Sequence, residues 1–439
     1  MIYHKCAWHW ENRDLHLFFH FELEGINSFE HRIILHTSQI PWTVRQNIDL
    51  EPLVFHIGLI ELLSYWKCAC PPVIRLEGKS LTPSQQAWWN KLFYKGLGEF
   101  RFLNQISAKE EKFISFEQGN SSSEPQAIAW NTEKKYLIPI GGGKDSVVTL
   151  NALRHLPACG LLIVTNKNAN KAAEDCAIET RIPLLKIERI FDSQLFTLIK
   201  QGYWNGHVPF SASVAFISLL TAAITGSRYL PLSNESSANE PTVHGTDINH
   251  QYSKSVEFEQ AFREYTQQYL ATDIEYFSLL RPLSELQIAE KFSRLMPFHS
   301  IFRSCNIAGR DNRWCGHCPK CLFSYILLSP FLSREALCQI FQGHLLQCET
   351  LRQALDELIG ATEHKPFECV GTQEEVLACL SVITVKKEFA EDALVIHLKN
   401  QYSHLLNQNS FLPLLKASLG QHHIPADVLA QIPEFLAVS

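Results

Sequence analysis

The sequence predicts an α/β protein in which a central part folds around a parallel β-sheet. Two observations lead to this fold class. Between residues 126 and 332, short strand-like apolar runs alternate with stretches of helical length, and such alternation is typical of βαβ units. A glycine-rich turn follows the first of these runs, and parallel α/β sheets bind ligands at the carboxyl ends of their strands.

Each element of the central part is predicted from its own run of residues. The expected order is a strand at 136–140, a helix at 145–156, a strand at 161–165, a helix at 170–180, a strand at 184–190, a buried helix at 214–225 and a short strand at 228–232. Pro139 departs from the strand pattern because proline cannot donate a hydrogen bond to a sheet. It limits the extent of the first strand and leaves the following turn unaffected.

The rest of the chain predicts two further domains. Residues 1–125 mix alternating stretches such as 15–24 with helices near 55–66 and 83–94, which indicates an α+β domain. The polar segment 118–125 contains glycine and proline and is typical of a linker. Beyond a central domain at 126–332, residues 333–439 are polar-amphipathic, so we expect a mainly helical C-terminal region.

Composition excludes several classes of protein. Of the 439 residues, 46% are hydrophobic and 19% are charged, which excludes a disordered chain. The 39 lysines and arginines against 45 acidic residues give a net charge of −6, so no global positive field favours a nucleic-acid partner. The longest apolar run, at 214–225, is too short to cross a membrane. Most of the 13 cysteines are scattered and no export signal is visible, so we expect a cytoplasmic protein.

The turn from Gly141 to Ser146, Gly-Gly-Gly-Lys-Asp-Ser, joins a predicted strand to a predicted helix. Glycines permit close backbone approach, and the N–H groups at the start of a helix bind anions. The turn therefore predicts a phosphate cradle, although it lacks the spacing of the common P-loop. The alternative is a tight turn that only links strand to helix, for which fewer glycines suffice.

Four cysteines, Cys305, Cys315, Cys318 and Cys321, lie close together in the sequence. Zinc takes four thiolates tetrahedrally, and Cys-x2-Cys spacing aims two sulfurs at one metal. His317 lies between two of these ligands and is a possible substitute for one of them. With four protein ligands no coordination position stays open, so the spacing predicts a structural zinc site. Buried free cysteines or a redox pair are the alternative.

Polar segments near the end of the strand at 228–232 indicate where substrate contacts lie. They run from 232 to 240 and from 249 to 255, and His207 can reach the same face. The predicted substrate-binding residues are Ser233, Asn234, Asn239, Ser253 and Arg281. Arg281 is suited to clamp a carboxylate, with a surface ion pair as its alternative. Solvated loops are the alternative interpretation of the polar segments.

The glycine turn resembles the PP-loop of ATP pyrophosphatases, whose pattern is Ser-Gly-Gly-x-Asp-Ser. Gly141 replaces the leading serine of that pattern. The resemblance implies a Rossmann-like adenine-nucleotide fold and cleavage of ATP between its α and β phosphates. It implies that ATP is bound by Gly141, Gly142, Gly143, Lys144, Asp145 and Ser146, with magnesium held by Asp145.

Four parts of the chain resemble a narrower family. The glycine turn, the Ser-Asn-Glu segment from 233, the Asn-His-Gln-Tyr-Ser-Lys-Ser stretch from 249 and the cysteine segment 313–321 together look like UDP-N-acetylmuramoyl-L-alanyl-L-glutamate epimerase, called MurL. This likeness covers about residues 50–335. It implies that ATP adenylates the terminal L-glutamate carboxylate of a peptidoglycan precursor, releasing AMP and diphosphate. Adenylation removes a negative charge beside the α-carbon, which favours loss of the α-proton and inversion.

Inversion needs a proton removed from one face of the α-carbon and another returned to the opposite face. The candidate catalytic residues are Lys144, Asp145, His207, Glu235, Glu240, His250 and Lys254, with no ranking among them. The expected partners are ATP, magnesium, structural zinc and a small nucleotide-sugar peptide, with no nucleic acid and no membrane. One alternative is a synthetase acting on a nucleobase or tRNA, such as 7-cyano-7-deazaguanine synthase, whose cysteine array is similar. The other is a nucleotide sensor without catalysis.

Overall fold

The computed structural model describes residues 1–118, 126–156, 159–166, 170–243, 245–417 and 420–436. Of the linker predicted at 118–125, residues 119–125 lie outside the described residues. Within these ranges no helix has both the length and the apolar character that a membrane span requires.

One ten-stranded sheet runs through the molecule. Its strands are β1 (Ile2–Glu11), β2 (Asp14–Leu23), β3 (Asn27–Leu35), β4 (Val73–Leu76), β5 (Ser115–Gln118), β6 (Glu133–Pro139), β7 (Cys159–Thr165), β8 (Leu184–Ile190), β9 (Ser227–Leu232) and β10 (Glu275–Ser278). They are ordered β10-β9-β6-β7-β8-β3-β2-β1-β4-β5.

The half of the sheet from β10 to β8 is entirely parallel. The chain adds β7 and β8 on one side of β6 and then returns to add β9 and β10 on the other side. The strand order therefore reverses at β6, which is where doubly wound sheets bind their ligands. The α/β class and the strands predicted near 136–140, 161–165, 184–190 and 228–232 are confirmed. Pro139 is the last residue of β6, so it removes no hydrogen bond from the interior of the strand.

The N-terminal half of the sheet begins as an antiparallel meander of β1, β2 and β3. In β2 buried residues alternate with half-buried ones along the whole strand, which is the period expected of a sheet with one face on the core. β3 pairs antiparallel with β8, so the sheet continues across the boundary predicted near residue 125. The division into domains at 125 and 332 stays a prediction.

Helices cover both faces of the sheet. They are α1 (Glu51–Trp66), α2 (Pro83–Gly96), α3 (Gly98–Leu103), α4 (Lys144–Leu153), α5 (Lys171–Thr180), α6 (Ser193–Lys200), α7 (Phe210–Thr225), α8 (Val256–Tyr269), α9 (Glu285–Ser293), α10 (Pro319–Leu328), α11 (Arg334–Phe341), α12 (Arg352–Leu358), α13 (Gln373–Ile383), α14 (Ala393–Tyr402), α15 (Phe411–Lys416) and α16 (Ala426–Leu429). Helices α11 to α16 make the described part of the C-terminal region mainly helical, as predicted.

Two apolar cores lie on opposite faces of the parallel strands. Leu137 of β6 packs into the core that contains α1 and α7. Its neighbours Tyr136 and Ile138 point to the other face and pack with α4, α9 and α10. Helix α7 is buried around almost its whole circumference, which explains its continuous apolar sequence. Both faces are closed by helices, so the carboxyl edge of the strands is left to carry the site.

Candidate functional site

A cavity of about 590 Å³ opens at the carboxyl ends of β6, β7 and β9. Its size falls within the usual range of small-molecule sites. The glycine turn and Asp145 line one part of it, Ser233 and Asn234 after β9 line another, and Lys254 lines a third. The position matches the reversal of strand order, and the segments predicted to bind ligands meet there.

The glycine turn has a geometry that other residues cannot adopt freely. Gly142 has φ +78°, and a Cβ on it would lie 2.5 Å from Cβ of Ala172. Gly143 precedes α4, whose start carries no side-chain cap in the described structure. The first N–H groups of a helix have no partner within the helix, so they are free to bind an anion at this end of the cavity. Ser146 lines the cavity and donates its hydroxyl to the carbonyl of Gly143 at 2.9 Å.

Lys144 points away from the cavity into the protein. Its ammonium contacts the carboxylates of Asp145 and Glu285, and both Lys144 and Glu285 are almost fully buried. Burial opposes ionisation of Lys144, but the two carboxylates outweigh it and raise the pKa of the ammonium. Lys144 therefore fixes the start of α4 to α9 through charge.

The two carboxylates that Lys144 contacts belong to a cluster of three. Oxygens of Asp145, Glu235 and Glu285 lie within 4.8 Å of one another. Burial and the neighbouring carboxylates raise the pKa of Glu285 against the attraction of Lys144. Burial also opposes ionisation of Asp145, but Lys144 and more distant ammonium groups lower the pKa of that carboxyl. Of the three, Asp145 is the one that lines the cavity, so its carboxylate is the one presented to a ligand.

Ser233 and Asn234 meet the expectation that residues after β9 face the cavity. The Oγ atom of Ser233 is buried without a hydrogen-bond partner among the described groups, and the amide of Asn234 donates to Ser278 at 3.0 Å. Asn239 is exposed instead, and its side chain accepts from the backbone N–H of Val256 at 2.7 Å, at the start of α8. Ser233 and Asn234 are thus placed to contact a ligand.

Ser253 and Arg281 are buried and lie outside the cavity lining. The guanidinium of Arg281 donates to the carbonyls of Glu235 and Lys254, both at 2.6 Å, and to the carboxylate of Glu259 at 3.0 Å. A guanidinium engaged in this way clamps no substrate carboxylate. Arg281 instead ties together the two loops that carry Glu235 and Lys254.

Glu259 is the charged partner of that arginine. Burial opposes its ionisation, but hydrogen bonds from His423 and the charge of Arg281 outweigh burial and lower the pKa of Glu259 to about 2. Both Glu259 and Arg281 are at most 2% exposed, so the pair is sealed from solvent.

Three other predicted catalytic residues lie outside the cavity lining. Glu240 contacts the buried ammonium of Lys365. His250 contacts Glu99 through Nδ1, and its ring lies 4.3 Å from that of His207, centroid to centroid. Burial, followed by the charges of His250 and two lysines, lowers the pKa of His207 to about 3, so that ring is neutral.

Lys254 faces the cavity beside Cys369, a residue that no sequence motif indicated. Its Nζ donates to Sγ of Cys369 at 3.1 Å, and both residues line the cavity. Cys369 comes from the C-terminal region, where the sequence showed no chemical motif. Two further cations, Arg303 and Lys320, also line the cavity. Their only sequence signal is their position beside or within the cysteine segment.

The four clustered cysteines converge as predicted. The Sγ atoms of Cys305, Cys315, Cys318 and Cys321 lie within 4.8 Å of one another. Cys318 and Cys321 are 3.4 Å apart, and Cys315 and Cys321 are 3.7 Å apart, sulfur to sulfur. His317 is exposed and its Nδ1 bonds the carbonyl of Cys315 at 2.8 Å, outside this group. The four sulfurs form a group that can hold one metal ion.

The residues that lead into the sulfur cluster pack against the glycine turn. The backbone N–H of Arg303 donates to the carbonyl of Gly142 at 2.9 Å. A Cβ on Gly143 would lie 2.9 Å from Oγ of Ser304. Cys318 caps α10, which places Lys320 of its first turn in the cavity wall. An ion in the cluster would therefore stabilise a wall of the cavity.

The chain is similar to one family along most of its length. Residues 1–279 match the description MurL N-terminal domain, and residues 297–411 match the description MurL C-terminal domain. No solved structure matches the chain significantly.

Curated relatives from three bacteria share this similarity. A protein of Xanthomonas oryzae pv. oryzae is 36% identical over 391 residues, 87% of this chain and 86% of its own. A protein of Salinispora tropica is 36% identical over 334 residues, 74% of this chain and 72% of its own. One of a Micromonospora species is 35% identical over 384 residues, 84% of this chain and 83% of its own. All three are named UDP-N-acetyl-alpha-D-muramoyl-L-alanyl-L-glutamate epimerase.

Proposed function

Because the chain belongs to the UDP-N-acetyl-alpha-D-muramoyl-L-alanyl-L-glutamate epimerase (MurL) family, we propose that it inverts the terminal glutamate of that peptidoglycan precursor. In this proposal ATP first adenylates the L-glutamate carboxylate, releasing diphosphate. Inversion and hydrolysis of the acyl-adenylate then give AMP and the D-glutamyl product. The observation that carries the proposal is the glycine turn with an uncapped helix start at the reversal point of a parallel sheet.

The phosphates of ATP would bind at the glycine turn. The N–H groups at the start of α4 and the hydroxyl of Ser146 face this part of the cavity. Lys144 contributes by holding Asp145 and the helix start in place rather than by touching phosphate, because its ammonium is bound to two carboxylates. This arrangement departs from the role that the PP-loop resemblance assigned to the lysine.

A magnesium ion fits the carboxylate that faces the cavity. Magnesium prefers oxygen ligands and binds through one or two carboxylates together with phosphate oxygens. Asp145 lines the cavity beside the turn, and Glu235 is close to it, while Glu285 is retained by Lys144. When bound, magnesium would neutralise phosphate charge, and Asp145 would position it.

The cysteine cluster fits structural zinc. Tetrahedral zinc with Zn–S bonds of about 2.3 Å requires sulfurs about 3.8 Å apart. The separations of 3.4 and 3.7 Å are close to this value. Backbone N–H groups of Ala308 and His317 donate to the sulfurs of Cys305 and Cys315, which favours thiolates there. Zinc would hold the segment that supports the glycine turn.

The proposal includes a cytoplasmic location and small-molecule partners only. Among described side chains the cysteines are free thiols, which suits a reducing compartment. Arg303, Lys254 and Lys320 give the cavity the positive charge that an anionic nucleotide-sugar peptide and ATP require.

The direct test supplies the purified protein with ATP, magnesium and UDP-N-acetylmuramoyl-L-alanyl-L-glutamate. We expect AMP and diphosphate, together with D-glutamate after acid hydrolysis of the product. Asp145→Asn should abolish both AMP release and D-glutamate formation. The control is Asp356→Asn, which should retain both. The Asp356 carboxylate contacts His397 in the helical C-terminal region. AMP without D-glutamate would reject the epimerase and leave an ATP-dependent synthetase. D-glutamate formed without ATP would reject adenylation.

A further inference from the structure

Inversion of the α-carbon needs a proton acceptor in the wall of the cavity. Among the described lining residues the titratable candidates are Asp145, Lys254, Tyr276, Lys320, Cys305 and Cys369, since arginine stays protonated. Asp145 is bound to Lys144, and Cys305 belongs to the sulfur cluster. A lysine side chain is ordinarily an ammonium group at neutral pH and then has no lone pair with which to accept a proton. Burial raises the pKa of Tyr276, so its phenol keeps its proton. Cys369 is the remaining group, and its thiolate is a base.

The surroundings of Cys369 are arranged around its sulfur. Nζ of Lys254 donates to Sγ at 3.1 Å. The ring of His250 acts on the charge of the thiol from nearby, and its Nδ1 is held by Glu99. The carbonyl of Lys254 accepts from Arg281, which fixes the backbone that carries the ammonium. The sulfur thus accepts a hydrogen bond from one ammonium group and lies near an imidazole that Glu99 positions.

We propose that Cys369 is a catalytic acid–base residue that carries one of the two proton transfers at the glutamate α-carbon. This inference rests on the proposed function, because it requires an activated glutamyl group in the cavity. Lys254, His250 and Glu99 act as positioning residues that hold the sulfur. The sequence-based candidates His250 and Lys254 thus contribute through Cys369.

The proton transfer moves one proton from the α-carbon to the sulfur. The Cys369 thiolate forms an S–H bond as the Cα–H bond breaks, and the electron pair of the Cα–H bond moves into the enolate of the acyl-adenylate. A proton that originates in solvent is delivered to the opposite face of the α-carbon by a second group. Cys369 then returns its own proton to solvent, and hydrolysis of the inverted acyl-adenylate follows. When the reaction runs from the D-glutamyl to the L-glutamyl epimer, the Cys369 thiol donates the proton to the α-carbon.

The electrostatics supply the form of sulfur that this role needs. Burial opposes ionisation of Cys369, but Lys254, His250 and Lys320 outweigh burial and lower the pKa of the thiol to about 6. Burial likewise opposes protonation of His250, but its contacts with Cys369 and Glu99 raise the pKa of the ring to about 9. At neutral pH the pair is therefore thiolate and imidazolium. A base with a pKa near the working pH transfers protons efficiently.

The test separates the two half-reactions. ATP–diphosphate exchange in the presence of substrate reports adenylation, and deuterium incorporation at the α-carbon in D₂O reports proton transfer. Cys369→Ala and the near-isosteric Cys369→Ser should keep the exchange rate within about threefold, because both leave the glycine turn intact. We expect D-glutamate formation to fall by about 100-fold or more in both variants. Deuterium incorporation should be lost from one of the two diastereomers.

Cys348→Ala is the matched control, because Cys348 is a half-buried thiol of the same C-terminal region outside the cavity lining. It should behave as wild type in both assays. Iodoacetamide should alkylate Cys369 faster than Cys348, with a rate that rises with pH around a midpoint of about 6. Glu368 precedes Cys369 in the sequence, and burial raises the pKa of its carboxyl to about 7, in the same range. Glu368→Gln therefore separates the two titrations.

Several outcomes would overturn the proposal. D-glutamate formation within tenfold of wild type in Cys369→Ala would show that the thiol is dispensable. Loss of diphosphate exchange in both folded variants, judged by circular dichroism, would assign Cys369 to ligand binding. A glutamyl thioester on Cys369 in acid-quenched wild type would make the sulfur a nucleophile instead. Absence of exchange in the wild-type protein would contradict the proposed adenylation itself.

Discussion

Replacing Gly142 by alanine tests the geometry of the turn on which the proposed nucleotide site depends. Gly142 has φ +78°, and a Cβ there would lie 2.5 Å from Cβ of Ala172 and 2.8 Å from the backbone N of Ala173. The left-handed backbone costs an alanine about 1–2 kcal/mol. Overpacking of a closed interior adds about 1–3 kcal/mol. We therefore expect Gly142→Ala to lower the free energy of unfolding by about 2–5 kcal/mol.

Gly141 provides the matched control one residue earlier. It lies outside the left-handed region, and a Cβ on it would meet no atom within 4 Å. Gly141→Ala should change stability by less than about 1 kcal/mol, and in the stabilising direction, because it restricts the unfolded chain. Urea unfolding followed by tryptophan fluorescence measures both variants. Equal unfolding free energies for the two would refute the reasoning. Displacement of the turn should also slow ATP–diphosphate exchange about 100-fold in Gly142→Ala.

Three further predictions follow from the charges and sulfurs of the site. Purified protein should contain about one zinc ion per chain by mass spectrometry, and Cys318→Ser should reduce it to well under half. Lys144→Met should lower the free energy of unfolding by about 3–5 kcal/mol, because Glu285 then stays buried without its partner. The double variant Lys144→Met/Glu285→Leu should recover most of that loss in urea titrations. The pKa of Glu259 is lowered to about 2 in the folded chain, against about 4.3 when unfolded. The ionised Glu259 therefore contributes fully to stability above a pH of about 4.3, and this contribution is lost as the pH falls towards 2. Glu259→Gln should accordingly weaken the dependence of the unfolding free energy on pH in this acidic range.

Local patterns in the sequence predicted the parts of the site that are local in the chain. The glycine turn between strand and helix, the four spaced cysteines and the polar residues after β9 each carry their chemistry within a few residues. The alternation of strand and helix likewise predicted the parallel half of the sheet, because each βαβ unit is itself a short-range pattern. The junction of β3 with β8 left no such signal, since it pairs residues more than 150 positions apart.

Contacts between distant segments account for what the sequence did not predict. Lys254 and Cys369 are 115 positions apart, and Lys144 and Glu285 are 141 apart. An isolated cysteine has no periodicity or spacing that marks it as functional. Its role becomes visible only when the structure shows a cation facing it. Arg281 had the side chain suited to a carboxylate clamp, but the fold directs its guanidinium to two carbonyls and Glu259.

The charge of the cavity makes the proposed anion binding compatible with a net charge of −6 for the whole chain. Among the described lining residues, Lys254, Lys320 and Arg303 are cationic and Asp145 is the one carboxylate. Exposed charges that lie more than about 8 Å from the cavity are largely screened at physiological ionic strength, so they contribute little there. The three cations come from separate segments of the chain, which the fold brings together. Arg281 fixes the backbone of Lys254, while Lys320 and Arg303 depend on the sulfur cluster. The proposed anion binding therefore depends on tertiary structure, and loss of the sulfur cluster should remove it before the sheet unfolds.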